Sequence, residues 1–232
     1  MVDEAGHPDR SGDRRPGLRG GGVSAGGTGT PPGRFVVLEG CDGCGKSTQA
    51  DRLARALGAR GRTVCPTFEP GATDLGRDLR RLLLGGPHAV VPRAEALLMA
   101  ADRAQHVDTV VRPALERGDW VVSDRYVGSS LAYQGGARGL GVDAVAAIND
   151  FGTGGLVPDL VVYLRAPVAV LAARRSGPAD RIEGEGDAFL AAVAAAYDAL
   201  ATAHGWAVVD ATPGPDEVAV AVWGTVVREL AP

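Results

Sequence analysis

The chain has 232 residues, 45% of them hydrophobic, which is enough for one domain with a real core. A net charge of −4 and an isoelectric point near 5.6 exclude the basic footprint of a nucleic-acid surface. No apolar run reaches the roughly 18 to 20 residues that span a bilayer, no apolar leader core is visible, and three cysteines do not make a disulfide scaffold, so a cytoplasmic location is the expectation.

Residues 1–33 are rich in Gly, Arg, Asp and Pro and nearly free of large apolar side chains. Such a segment buries too little surface to offset its ordering entropy, which predicts a disordered tail before a domain spanning 34–232. The run Phe35-Val36-Val37-Leu38 predicts a first strand over 35–39, and a helical pattern follows over 46–59. Between them stands Gly40-Cys41-Asp42-Gly43-Cys44-Gly45-Lys46-Ser47, a full G-x-x-x-x-G-K-[ST] in the strand–loop–helix setting that this motif requires. Backbone N–H groups of such a loop, through to Thr48, surround phosphate oxygens, and the helix N-terminus adds partial positive charge. Lys46 can reach the outer phosphates and the Ser47 hydroxyl can hold Mg²⁺. The chain therefore binds a nucleoside polyphosphate. Cys41 and Cys44 form a C-x-x-C inside the loop, but Cys65 is the only other thiol, so they read as occupants of its variable positions.

A second strand is predicted over 62–67, ending in the turn Glu69-Pro70-Gly71-Ala72-Thr73, with Thr73 as N-cap of a helix over 74–85. A long helix over 92–117 places Asp102 and His106 on one face and Arg103 and Gln105 on others; taken alone, this is a solvated amphipathic surface. The third strand, 119–123, runs into Asp124-Arg125. An acid there can order Mg²⁺ or its water shell, and the arginine can clamp a phosphate. The same pair elsewhere would be a surface salt bridge, but its position after a strand of a phosphate-loop domain favours function. Leu131-Ala132-Tyr133-Gln134-Gly135-Gly136 follows, near the same end of the sheet. It offers an aromatic for a sugar and an amide for a base or phosphate, or else only helix packing and a glycine turn.

After a helix over 142–153 come a fourth strand over 159–165 and a helix over 167–175. Arg174-Arg175-Ser176-Gly177-Pro178-Ala179-Asp180-Arg181 is cationic and broken by Gly and Pro. It reads either as a solvated loop or as a lid, about 174–186, that brings arginines onto transferring phosphates. A helix over 187–204, a strand over 206–210 and a helix over 215–230 complete the chain. Val-rich strands separated by helices predict an α/β protein of three layers, with a parallel sheet covered on both faces. The motifs at Gly40, Glu69-Pro70, Asp124-Arg125 and Arg165 all follow strand ends, where ligands gather in such folds.

Together these segments resemble thymidylate kinase, over nearly all of residues 35–230. The resemblance is carried by Leu38-Glu39-Gly40 with the phosphate loop, Glu69-Pro70-Gly71, Leu79-Arg80-Arg81-Leu82-Leu83-Leu84, Ala101-Asp102-Arg103-Ala104-Gln105-His106, Asp124-Arg125-Tyr126, Ala132-Tyr133-Gln134-Gly135, Gly155 to Leu160 and Asp180-Arg181-Ile182-Glu183. It implies a P-loop NTPase-type fold with a five-stranded parallel sheet, a homodimer, ATP as donor with Mg²⁺, and dTMP as acceptor. Asp42 would approach the sugar 3′-hydroxyl, Arg103 the thymine, Arg125 the acceptor phosphate and Tyr133 the deoxyribose. Gln134 would line the base pocket, with Ser130, Phe68 and Met99 completing the acceptor side. The family places its catalytic arginine in the phosphate loop or in the lid. Gly43 stands at the loop position, so the resemblance points to the lid arginines Arg174, Arg175 and Arg181, as in the bacterial type. The chain departs from the family where an aromatic is usual at Met99 and an arginine at Phe68; methionine can still pack against a ring.

The implied reaction is direct, in-line transfer of the ATP γ-phosphoryl group to dTMP, with Lys46 and the arginines neutralising the moving group and Ser47 and Asp124 ordering Mg²⁺. The alternatives are a kinase of the same fold acting on another nucleotide or a nucleoside, and a nucleotide-dependent switch. Against the switch, the chain has no Asn-Lys-x-Asp guanine-reading motif.

Overall fold

The computed structural model describes residues 33–85, 89–174 and 180–232. The expected tail, apart from Gly33, and Arg175 with the lid stretch up to 179 lie outside the described residues. Five strands form one sheet: β1 (Arg34–Glu39), β2 (Val64–Phe68), β3 (Trp120–Asp124), β4 (Leu160–Arg165) and β5 (Ala207–Asp210). All pairings are parallel and the order is β2-β3-β1-β4-β5. Each strand matches a predicted run, with β2 beginning two residues later than its sequence pattern indicated, at Val64 rather than at position 62.

β1 is apolar on both faces because it is covered on both. Val36 and Leu38 join Leu53 and Leu57 of α1 (Lys46–Gly58) and Val222 and Val226 of α9 (Pro215–Leu230) in one core cluster. Phe35 and Val37, pointing the other way, join Val107, Val111 and Ala114 in a second. The remaining helices are α2 (Asp74–Arg80), α3 (Pro92–His106), α4 (Arg112–Glu116), α5 (Val127–Ser130), α6 (Val142–Thr153), α7 (Val168–Arg174) and α8 (Asp187–His204). A single 3₁₀ turn, Glu183–Glu185, precedes α8. Thr73 does cap α2, its Oγ1 accepting the Gly76 N–H at 2.9 Å.

Two predicted helices are less regular than their patterns suggested. The 74–85 segment ends in a wide π turn, Arg81–Gly85, and the 92–117 segment passes through another, Val107–Val111, between α3 and α4. A third stretch of this kind, Leu131–Ala137, extends α5. Its glycines and serines are weak helix formers, which is why periodicity gave no sign of a helix starting at Val127. Tertiary contacts hold it instead: the buried Glu39 carboxylate accepts the N–H groups of Tyr126 and Ser129 at 2.9 and 3.0 Å.

The chain builds β2 and β3 on one side of β1, then crosses to place β4 and β5 on the other. Strand order therefore reverses at β1, and a crevice opens beyond its carboxyl end. The phosphate loop leaves β1 directly into that crevice.

Candidate active site

The loop from Gly40 to Gly45 has a backbone that side chains would obstruct. Gly40 has φ 147°, and a Cβ there would lie 2.7 Å from the Leu164 carbonyl oxygen. Gly43 has φ 88°, with the Leu171 carbonyl 2.7 Å from its Cβ position. Lys46, buried at the start of α1, folds back so that Nζ donates to the Cys41 carbonyl at 2.9 Å and stands 3.8 Å from Asp42 Oδ1. The two loop cysteines point into the core, with only 2% and 3% of Cys41 and Cys44 exposed. Burial pushes the Cys41 thiol up to about 12.

The register of β1 on β3 sets Leu38 opposite Asp124 and so brings this acid level with the loop. Ser47 Oγ donates to Asp124 Oδ2 at 2.5 Å. Asp124 Oδ1 is buried and has no hydrogen-bond partner among the described residues. A hydroxyl and a carboxylate that keeps one buried oxygen unpartnered form a donor set that suits a hard divalent cation such as Mg²⁺.

Arg125 adopts φ 75°, a left-handed backbone that non-glycine residues rarely accept. Its N–H donates to the Leu38 carbonyl at 2.9 Å. The guanidinium then reaches back across the loop, donating to Asp42 Oδ1, to the Gly40 carbonyl at 3.3 Å and to Ser129 Oγ at 3.0 Å. Tyr133 OH donates to the other Asp42 oxygen at 2.8 Å, and its ring lies 5.4 Å below the Arg125 guanidinium. Burial would raise the Asp42 carboxyl, but the Arg125 and Lys46 charges and the Tyr133 hydrogen bond outweigh it and hold the group below the usual carboxylate range.

Beside this cluster, the α3 face expected to be solvated is instead buried. Asp102, Arg103 and His106 are all inside the protein, where Glu69, just after β2, partners Arg103 and His106 and the following turn partners Asp102. Arg103 Nε donates to Glu69 Oε2 at 2.7 Å, and His106 Nδ1 lies 2.8 Å from Oε1. The remaining nitrogens of Arg103 donate to Ser130 Oγ and the Tyr126 carbonyl, both at 3.0 Å, and to Asn149 Oδ1. Asp102 accepts the Gly71 N–H at 3.0 Å, and burial, with Glu69 nearby, raises its carboxyl to about 6.

Two cavities open from this arrangement. One, of about 740 Å³, is lined by Lys46, Ser47 and Thr48 of the loop helix, Asp124, Phe68 and Arg174. The other is a narrower cleft lined by Met99, Asp102, Arg103, Ser130, Tyr133 and Gln134. They share Asp42, Glu69, Arg80 and Arg125. Two adjoining sites, one built on a phosphate loop, are the layout of a phosphoryl transferase with donor and acceptor side by side.

Residues 38–222 match the family model for thymidylate kinase. The chain belongs to the thymidylate kinase family. A curated thymidylate kinase of Synechococcus sp. strain CC9605 is 49% identical over 206 residues, covering 85% of this chain and 97% of that protein. Another, from Synechococcus sp. strain CC9902, is 53% identical over 188 residues, 77% of this chain and 90% of that protein. A third, from Leifsonia xyli subsp. xyli, is 48% identical over 195 residues, 82% of this chain and 93% of that protein.

Within this thymidylate kinase the predicted site residues are not all in one place. The left-handed backbone at Gly43, with Leu171 above it, leaves no room for a loop arginine. Arg174 lines the larger cavity, and its guanidinium is held by the carbonyls of Ala211 and Thr212 at 2.6 and 2.8 Å. Arg181 lines neither cavity; it donates to the Leu83 carbonyl at 2.7 Å and to the buried Glu95 at 2.6 Å. Arg175 lies outside the described residues. Phe68 and Met99, grouped together from the sequence, line different cavities. Gln134 is anchored by Glu95, to which its Nε2 donates at 2.8 Å. Sequence reasoning passed over Glu39, Glu69, Glu95 and Arg80. All but Glu95 lay inside a quoted motif, but a buried carboxylate has no local pattern that separates it from a surface one. Among the described residues, no helix is long and apolar enough to cross a membrane.

Proposed function

We propose that the chain transfers the γ-phosphoryl group of ATP to the 5′-phosphate of dTMP. The observation that carries this reading is the meeting of the two cavities at Asp42 and Arg125. ATP would lay its phosphates on the loop from Gly40 to Thr48, against the N-terminus of α1. The acceptor nucleotide would enter the narrower cleft, its base among Met99, Arg103, Ser130 and Gln134 and its sugar against Tyr133 and Asp42.

An oxygen of the acceptor phosphate would attack the γ-phosphorus as the bond to the β–γ bridging oxygen breaks, and ADP would leave carrying that oxygen's charge. Ser47 and Asp124 would hold Mg²⁺, which when bound neutralises charge on the donor phosphates. Lys46 would leave the Cys41 carbonyl for the outer phosphates. Arg125 would keep the acceptor oxyanion in line, its position set by Asp42 and Ser129. Arg174 would reach the donor side from its seat on the 211–212 carbonyls. We further propose that the enzyme is cytoplasmic and works as a homodimer, in keeping with the apolar side chains left exposed on α3 and α6.

The decisive experiment is ADP release from ATP and Mg²⁺ against a panel of nucleoside monophosphates. dTMP should give the dominant response, and a larger one from dCMP or dGMP would reassign the acceptor. In the same assay Lys46→Ala should lower turnover about a thousandfold, the loss of some 4 kcal/mol of transition-state stabilisation. Near-normal turnover would remove Lys46 from the mechanism.

A further inference from the structure

Glu95 is fully buried in the first turn of α3, and two guanidiniums and an amide converge on its carboxylate. Arg181 Nη2 donates to Oε2 at 2.6 Å, and Arg138 Nη2 donates to the same oxygen at 3.2 Å. The other oxygen, Oε1, takes Gln134 Nε2 at 2.8 Å, with Arg138 Nε further off at 3.3 Å. Both arginines are fixed from elsewhere. Arg181 Nε donates to the Leu83 carbonyl at 2.7 Å, and Arg138 Nη1 donates to Glu185 at 2.6 Å. Phosphoryl transfer gives this carboxylate no part. Yet it does more than neutralise two cations, because Gln134 lines the narrower cleft beside Met99, Arg103 and Ser130.

A glutamine amide has nearly the same shape at both ends and opposite chemistry, since NH2 donates and the oxygen accepts. Left alone it can turn over and offer either end to a ligand. The Glu95 carboxylate only accepts, so it holds the NH2 of Gln134 and leaves the amide oxygen for the cleft. Gln134 is 2% exposed, so water does not compensate a mismatched partner there. An acceptor at this point suits a base with a ring N–H, such as the imide of thymine or uracil. It opposes the bare ring nitrogen of cytosine.

We propose that Glu95 is a positioning residue for base selection: it orients the Gln134 amide so that the cleft presents an acceptor and favours a base with a ring N–H. This rests on reading the narrower cleft as the acceptor site. The two arginines hold the carboxylate in place, so the amide is oriented before any nucleotide enters.

The test uses an inversion. In Glu95→Gln the new amide keeps its oxygen toward the arginines at the Oε2 position, so its NH2 faces Gln134. The Gln134 amide then turns over, and its own NH2 enters the cleft. kcat/KM is measured with dTMP and with dCMP for the parent, Glu95→Gln, Gln134→Leu and the double variant. Glu95→Gln should lower the preference for dTMP over dCMP by about ten- to a hundredfold, the range of a buried hydrogen bond replaced by a mismatch. In the Gln134→Leu background the same change should leave the ratio within about twofold, as expected of a residue that acts through Gln134. Equal slowing of both substrates by Glu95→Gln would mean that Glu95 only neutralises its arginines. A shift of the same size with and without Gln134 would mean that it acts by another route. Either result overturns the proposal. The ratio is not moved by a fraction of unfolded protein, so a destabilised variant still decides the question. The parent's own preference decides the dTMP assignment and the change on Glu95→Gln decides the Glu95 assignment, so the two fail separately.

Discussion

Asp42 and Asp102 line the same cleft, and their surroundings push them in opposite directions. Arg125 and Lys46 hold Asp42 ionised against its burial, so its contribution to stability is present above the ordinary carboxylate range and is lost as the pH falls through it. Asp102 is raised from 3.8 to about 6, which means that the folded protein holds a proton the unfolded chain has already released. Stability contributed by that proton is present at low pH and drains away as the pH rises from about 4 to about 6. Asp102→Asn should therefore flatten this part of the curve, gaining on the parent by the order of 1 to 3 kcal/mol near pH 7. Melting temperatures of both proteins between pH 4 and 7 decide it, and parallel curves would show that Asp102 does not titrate there. The sequence offered no sign of this. Asp102 and His106 at i and i+4 look alike on a wet helix and a dry one, and the groups that make the difference, Glu69 beside His106 and the Gly71 N–H on Asp102, lie more than 30 residues upstream. By contrast Lys46 and Ser47 were legible because a local turn of fixed geometry demands glycine, lysine and hydroxyl at set spacings, and Asp124 because it ends an apolar strand.

At the scale of elements, one carboxylate ties three of them together. Glu39 ends β1, and Oε1 takes two N–H groups that open α5 while Oε2 takes the hydroxyls of Ser129 at 2.7 Å and Tyr197 of α8 at 2.9 Å. Burial raises its pKa, and these hydrogen bonds oppose the rise. Because Ser129 in turn supports Arg125, the strained residue is anchored through the end of a neighbouring strand. Glu39→Ala should cost about 3 to 5 kcal/mol in urea unfolding, since it leaves several donors buried without an acceptor. Glu39→Gln, which can still receive the two main-chain N–H groups, should keep most of that stability, and if it loses as much as the alanine variant the clamp is not built on those amides. The five strands could be read from their Val-rich runs, but α5 could not. A helix made of Val127-Gly128-Ser129-Ser130 exists because Glu39 receives it, and propensity carries no record of that.

For the whole molecule, strand order explains why donor and acceptor meet where they do: the site residues follow the carboxyl ends of β1, β2, β3 and β4 on the same side. The proposed homodimer would use the apolar side chains exposed on α3 and α6. Phe151 on α6 is 91% exposed and Leu97 on α3 is 58% exposed, on helices that pack together where Gly152 meets the Ala100 carbonyl. Phe151→Asp should therefore shift the sedimentation of the protein towards the monomer at micromolar concentration; an unchanged profile would move the proposed interface elsewhere. The phosphate loop carries one more consequence. Its two sulfur atoms face inward, where Cys44 Sγ lies 2.8 Å from the Cβ position of Gly40 and fills the space that this glycine keeps open. They act as small apolar wedges under the nucleotide platform and give oxidants and alkylating reagents no foothold. Handled in air, the kinase should keep its turnover without added reductant, and a covalent inhibitor aimed at this C-x-x-C would find a sealed floor.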